Sequence, residues 1–335
     1  MERHKTMAPR RPRRALATLP TTMRAAAIDR FGGPEVVTTH TLPVPPVNAG
    51  EVLIAVHTSG IAGWDADMRD GWSPTGRQPK LPFILGTDGS GTVVALGSGV
   101  RRFEIGDRVY GASFERAGFH AEYIAVVAEH VGKVPAGLEL EHAGAIPLTG
   151  VTAVQGVDEA LKLKRGETVI VHGASGGVGT LAVQFAKLRG ARVLAIASGD
   201  DGVALARRLG ADAAVDGRHG NIVAAARDFA PEGVDAVLGF AGGDALEHCI
   251  DSLRPGGRVA YPNGIDPAPK KRSGLDITAY DGVIGVRELA RLNRAIEAAN
   301  LIVPIPAVYP LQEAAKAHQR VAEGHVLGKV VLRIG

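Results

Sequence analysis

From Thr168 to Pro262 short apolar runs alternate with stretches of helical periodicity. Strands are predicted at Thr168 to His172, Gly190 to Ala197, Ala213 to Val215, Val234 to Phe240 and Arg258 to Pro262. Helices are predicted between them at Leu181 to Leu188, Val203 to Leu209, Ile222 to Phe229 and Ala245 to Leu253. Such alternation implies an α/β unit with a doubly wound parallel sheet.

The chain on either side reads differently. Strand runs at Met23 to Ile28, Glu51 to Ser59, Gly91 to Leu96 and Arg108 to Tyr110 are separated by glycine and proline clusters, which predicts a partly β unit. After residue 284 come a helix at Gly285 to Ala299, Pro304 and Pro306, a second helix at Leu311 to Glu323 and a closing strand at Lys329 to Ile334. The expected division is a disordered basic extension over 1–22, one domain from 23–145 and 285–335, and a second from 146–284.

The first parallel strand runs straight into Gly173-Ala-Ser-Gly-Gly-Val-Gly179 and a helix. This is the layout of a dinucleotide pyrophosphate site. Gly176 admits a phosphate close to the backbone, Gly179 lets the helix pack against the strand, and Gly173, Ala174, Ser175, Gly177 and Val178 complete the turn, with Ala174 where the strict pattern has its first glycine. The second strand ends at Ala197 and Ser198, where an NAD-binding unit carries an acidic residue for the ribose. A hydroxyl and a small side chain accommodate a 2′-phosphate, so NADPH is expected over NADH, with Arg218 the nearest basic candidate. Asp200 and Asp201 would weaken or reverse that preference if either turned toward the ribose.

With 335 residues and 45% hydrophobic content the chain can bury two cores. No apolar run approaches the ~20 residues of a membrane span. The lone cysteine, Cys249, excludes an intrachain disulfide and fits a buried helix position in a reducing, cytoplasmic setting. The formal net charge is +3. Residues 1–22 hold Arg3, Lys5, Arg10, Arg11, Arg13 and Arg14 against Glu2, a balance of +5 that leaves the remainder at −2. The folded body therefore has no cationic excess for nucleic acid.

Several separated motifs carry a family resemblance: Phe31 to Val36 (Phe-Gly-Gly-Pro-Glu-Val), Gly86 to Gly91 (Gly-Thr-Asp-Gly-Ser-Gly), Phe103 to Val109, Ala121 to Tyr123, Ala145 to Ala153, Leu209 to Asp212 and Gly328 to Leu332. From Met23 onward the chain resembles the medium-chain dehydrogenase/reductase superfamily, in its zinc-independent quinone oxidoreductase branch. The resemblance implies a GroES-like, partly β catalytic domain joined to a Rossmann nucleotide-binding domain. Zinc alcohol dehydrogenases of that superfamily place cysteine, histidine and cysteine at positions matching Ala62, Thr87 and Ala145, so no metal is expected here.

By the same resemblance, Thr149 is expected beside the nicotinamide, Phe240 and Ala241 by its ribose, Asn263 and Gly264 along the cofactor edge, and Lys329 near the phosphates. The implied activity is hydride transfer from NADPH to a quinone or an α,β-unsaturated carbonyl, in a homodimer paired through the edge of the nucleotide sheet. Ala62 stands where such reductases often have asparagine, which puts simple quinones in doubt. Trp64 reads equally as a stacking wall for a planar acceptor or as core, and Tyr280 as a hydroxyl over the acceptor or as a surface residue. His57, within an apolar strand, reads as a hydrogen-bonded core residue. Two other functions stand beside the leading one: enoyl-thioester reduction, and a non-catalytic NADPH-binding protein with a regulatory or RNA-binding role.

Overall fold

The computed structural model describes residues 19–73, 76, 78–114 and 117–335. The basic extension expected over residues 1–22 lies outside them up to residue 18. The first domain contributes β1 (Thr22–Ile28), β2 (Val37–Pro43), β3 (Glu51–Gly60), α1 (Gly63–Arg69), β4 (Phe83–Ile84), β5 (Asp88–Leu96), β6 (Arg108–Ala112), β7 (Tyr123–Val127) and β8 (Val131–Lys133). After α2 (Leu140–Ala143) and α3 (Pro147–Gln155) the chain alternates through β9 (Thr168–His172), α4 (Gly177–Leu188), β10 (Arg192–Ala197), α5 (Gly199–Arg208), β11 (Ala213–Asp216), α6 (Ile222–Phe229), β12 (Val234–Gly239), α7 (Asp244–Asp251), β13 (Leu253–Pro262) and β14 (Asp276–Tyr280). It closes with α8 (Val286–Ala299), β15 (Val308–Pro310), α9 (Ala314–Ala322) and β16 (Val331–Arg333).

The second sheet has six parallel strands in the order β11-β10-β9-β12-β13-β14. Strand order reverses between β9 and β12, and in open α/β sheets a ligand binds in the crevice at that reversal, outside the carboxyl ends of the strands. The glycine-rich turn follows β9 and the loop Phe240 to Gly243 follows β12, so both lie at that crevice. One face of the sheet packs with α3, α4 and α8 through Leu148, Val151, Leu181, Phe185, Leu289 and Leu292. The other face packs with α6 and α7 through Ile222, Phe229, Leu246 and Cys249, whose thiol donates to the Ala245 carbonyl.

In the first domain a seven-stranded sheet is built on β3, which pairs with β5, β7 and β16, and a smaller sheet has the order β2-β1-β4. The closing strand pairs antiparallel with β3. The helix at 286–299 packs on both units: its apolar face lies on α3 and α4, and it also meets the first sheet at β8, where Asn293 accepts from the Tyr110 hydroxyl and donates to the Lys133 carbonyl at 2.9 Å. An amphipathic pattern identifies a helix but not the surface that receives it, so the sequence left this docking undetermined.

Candidate active site

The turn after β9 has the geometry that its glycines demand. Gly173 has φ +76, and a Cβ on Gly179 would lie 2.1 Å from the Gly173 carbonyl oxygen, so neither position tolerates a side chain. A Cβ on Gly176 would meet only that same oxygen, at 3.5 Å, which leaves open space above the start of α4 where unpaired N–H groups face outward. Ala174 is fully buried, Val178 packs on the core, and the Ser175 hydroxyl oxygen accepts the Ser198 amide at 3.3 Å. Ser175 thus shapes the turn from beneath.

A strap from the end of the chain crosses this turn. Gly328 bridges to Gly176 and donates its amide to the Ser175 carbonyl at 2.9 Å. One end of the strap sets His325 beside the close of β10, with Nδ1 3.3 Å from Ser198 Oγ and Nε2 3.0 Å from Asp201 Oδ2. At the other end Lys329 is 5% exposed, its Nζ 3.4 Å from Oδ1 of the fully buried Asp88. Neither of those two atoms makes a hydrogen bond, an arrangement that a buried charged pair keeps only at a cost. Lys329 also reaches the glycine turn, since a Cβ on Gly177 would lie 3.6 Å from its Cδ and 3.5 Å from Thr149 Cγ2.

Asp88 joins this strap to α3. Its Oδ2 accepts the Leu148 amide at 3.1 Å, supplying an acceptor and a negative charge at the start of that helix. The Thr149 hydroxyl donates back to the Ala145 carbonyl at 2.8 Å, so its methyl group faces the glycine turn. Phe240 lies against Gly173, and its amide donates to the His172 carbonyl at 3.1 Å; Ala241 beside it is exposed. Asn263 and the exposed Gly264 follow β13, with the Asn263 amide group donating to Asp281 at 3.0 Å. Arg218 is exposed past the end of β11.

On the first-domain side of the crevice, Trp64 packs on the large core and its indole N–H donates to Thr87 Oγ1 at 2.8 Å. Asp65 beneath it is fully buried and accepts from the amides of Ala62 at 2.7 Å and Gly86 at 3.2 Å, and burial pushes its carboxyl up to about 6. Tyr280 is not brought to this group: its hydroxyl donates to the Thr152 carbonyl at 2.9 Å and lies against Gly156, inside the nucleotide domain. Burial pushes its phenol well up.

Behind these residues runs a buried polar chain that the sequence did not announce. Arg69 can only donate, so its contact with His318 Nδ1 at 3.3 Å makes that nitrogen an acceptor and puts the proton on Nε2. His318 then donates to His120 Nε2 at 3.2 Å, His120 to Ser59 Oγ at 2.8 Å, and Ser59 to the Asp88 carbonyl at 3.1 Å. His57, expected as core, is half-buried instead; it bonds Thr58 Oγ1 at 2.8 Å and borders a polar surface pocket with Arg108, Glu141 and Arg333. The strand alternates only weakly there, since Ala55 and His57 are half-buried among buried neighbours.

Residues 48–136 match the alcohol dehydrogenase GroES-like domain family, and residues 177–281 the zinc-binding dehydrogenase family. Over 331 residues the chain is 31% identical to a human quinone oxidoreductase, covering 95% of this chain and 99% of that one. The chain belongs to the medium-chain dehydrogenase/reductase superfamily. It is an oxidoreductase, and its full-length relatives place it with the quinone oxidoreductases of that superfamily. A mycobacterial protein solved in complex with NADPH superimposes with a TM-score of 0.82 at 30% identity, over 93% of this chain and 100% of that one. An NAD-dependent alcohol dehydrogenase gives 0.85 at 32%, over 93% and 100%.

A zinc ion does not fit the place that this superfamily uses for one. Ala62 and Ala145 offer no ligand, and Thr87 already receives the Trp64 indole. Among the described residues no cluster of three histidine, cysteine or acidic side chains could hold a metal. A dinucleotide does fit: the glycine cradle, the open start of α4 and the unsatisfied Lys329 ammonium converge on one crevice.

The residues missed by sequence reasoning are Asp65, Asp88, His120, His318 and His325. Asp88 lies inside a motif already singled out, Gly86 to Gly91. His325 is 127 residues from Ser198, and nothing in local pattern joins them.

Proposed function

We propose that this protein is an NADPH-dependent, zinc-independent reductase of a quinone or an α,β-unsaturated carbonyl. The observation that carries the reading is the far end of the crevice, where Ser198 closes β10 and Asp201 is turned to His325. Asp201 is thereby engaged by the imidazole, and a 2′-phosphate at this end would take its hydrogen bonds from the Ser198 hydroxyl and from His325 in place of that carboxylate. NADPH would be held by Gly173 to Gly179, Ser198, Lys329 and Phe240, with Thr149 against its nicotinamide. When bound, the reduced nicotinamide supplies a hydride from C4, and with a proton from water the acceptor leaves as a hydroquinone or a saturated carbonyl.

The protein's part is positioning and stabilisation of charge. Thr149 presents a methyl to the ring face, Lys329 offsets phosphate charge, and Trp64 and Thr87 border the acceptor. The reading extends to a cytoplasmic homodimer formed along β14, the open edge of the nucleotide sheet. No helix among the described residues is long and apolar enough to cross a membrane.

The test is steady-state NADPH oxidation with 1,4-benzoquinone and with 2-cyclohexen-1-one, before and after dialysis against a chelator. Turnover that survives chelation supports the reading, and activity recovered only with added zinc overturns it.

A further inference from the structure

Beside Thr87 lies a cavity of about 10 Å³, bordered by the apolar side chains of Met68, Phe83 and Phe114. That is space for one oxygen-sized group. Two described hydroxyls border it, those of Ser113 and Thr87. Ser113 donates to the Ala117 carbonyl at 3.0 Å, so its proton is committed. Thr87 Oγ1 accepts the Trp64 indole N–H at 2.8 Å, and its own proton has no acceptor among the described residues. Thr87 is 3% exposed, and a buried donor left without an acceptor is costly unless something else takes the hydrogen bond.

We propose that Thr87 is a catalytic residue whose hydroxyl, oriented by the Trp64 indole, donates to the carbonyl oxygen of the acceptor. This rests on the reductase reading above. The indole N–H occupies one lone pair of the hydroxyl oxygen and polarises it, so the O–H is fixed in direction and strengthened as a donor. Asp65 holds the geometry from below, because its two oxygens bind the amide of Ala62 on the Trp64 side and the amide of Gly86 on the Thr87 side. Thr87 directly precedes Asp88, whose carboxylate binds the Leu148 amide next to Thr149, so the donor belongs to the segment that connects the first sheet to α3. No bond of Thr87 breaks: the oxygen that gains charge as the acceptor takes up hydride receives a hydrogen bond, and the proton that completes the product comes from water. A donor preset in a water-poor cavity favours the charged oxygen over the neutral carbonyl, which is the condition for lowering a barrier. Trp64 acts through Thr87 and is a positioning residue.

The test compares the full-length wild type with T87V, T87S, W64F and the T87V/W64F pair. Expected for T87V is a fall in kcat of ~10²-fold with 2-cyclohexen-1-one. With the more electrophilic 1,4-benzoquinone the fall is smaller, under about tenfold. T87S restores most of the rate, W64F is intermediate, and the double variant matches T87V because both changes remove one interaction. A readout apart from turnover is the infrared C=O band of ¹³C-labelled 2-cyclohexen-1-one bound with NADP⁺, expected at lower wavenumber in the wild type than in T87V.

If the wild type turns over while T87V matches it with both acceptors and leaves the band unmoved, the role of Thr87 is overturned and the reductase reading stands. A fall equal for both acceptors, accompanied by weaker NADPH binding or a lower Tm, makes Thr87 structural and also overturns the proposal. A wild type that binds NADPH and reduces neither acceptor removes the reductase reading and this role together.

Discussion

His120 and His318 meet through their Nε2 atoms at 3.2 Å in the interior of the first domain, where both are at least 98% removed from solvent. Burial pushes His318 down to about 4 and His120 well below its usual range, and His172, at the end of β9, is also held at about 4 by burial. All three stay neutral in the folded protein, whereas in the unfolded chain they protonate near 6.5. Their contribution is therefore complete above about pH 6.5 and is lost as pH falls, with a slope of up to about 1.4 kcal/mol per unit for each histidine. Asp65 opposes one of them, because its raised folded value favours the folded state as pH falls toward 4. Urea denaturation between pH 7.5 and 4.5 is expected to show a steep net loss of stability below 6.5. A flat profile would contradict the neutral histidine chain.

Gly179 tests the cofactor turn. The atoms that a Cβ would strike are the backbone of Gly173 and Ala174, at 2.1 and 2.8 Å, and backbone cannot step aside as a side-chain tip can. G179A is expected to cost about 1–3 kcal/mol of stability and to weaken NADPH and NADH binding together. Gly176 has only ordinary contacts and serves as the contrast: G176A should fold normally and lose nucleotide affinity alone, as read by thermal melting with and without cofactor.

Lys329 and Asp88 are coupled within the core. Replacing Lys329 by methionine leaves the Asp88 carboxylate buried without its counter-charge, a loss of about 3–5 kcal/mol. The pair K329M/D88N removes both charges and should recover most of that stability. Nucleotide affinity should not recover in the double variant, and NADPH and NADH should be weakened to similar extents, because the contact proposed for Lys329 is with the diphosphate common to both.

In the proposed reading His325, at the opposite end of the strap, is the residue that tells the two nucleotides apart. H325A and S198A are expected to weaken NADPH binding by about tenfold each, the worth of one hydrogen bond to a charged group. NADH binding should stay within about twofold. Titration with 2′,5′-ADP and with 5′-AMP gives the same contrast free of the nicotinamide. Equal losses for both nucleotides would move the 2′-phosphate site elsewhere, with Arg218 the next residue to replace.

The nucleotide half was legible because its signals are local. A strand, a glycine turn and a helix in succession fix Thr168–His172, the turn and Gly177–Leu188, and the helix Ile222–Phe229 has the expected bounds. Helix α3 was not read as a helix from pattern, since every residue from Pro147 to Gln155 is buried and no polar face marks a period. The acceptor side was legible only in pieces. Trp64 stood out, but its partner Thr87 lies 23 residues on, and the hydrogen bond depends on how α1 meets the bend before β5. The role given to Tyr280 fails for a similar reason: the edge strand β14 turns its hydroxyl to Thr152, a pairing across 128 residues that no motif encodes.

The proposed reaction is hydride transfer from NADPH without zinc. The most direct measurement is a single turnover of chelator-treated protein with C4-deuterated NADPH and 2-cyclohexen-1-one, with mass analysis of the product. The expected result is deuterium carried to carbon in cyclohexanone at a rate matching loss of the reduced nicotinamide signal. Tight NADPH binding with no deuterium in any product would contradict it.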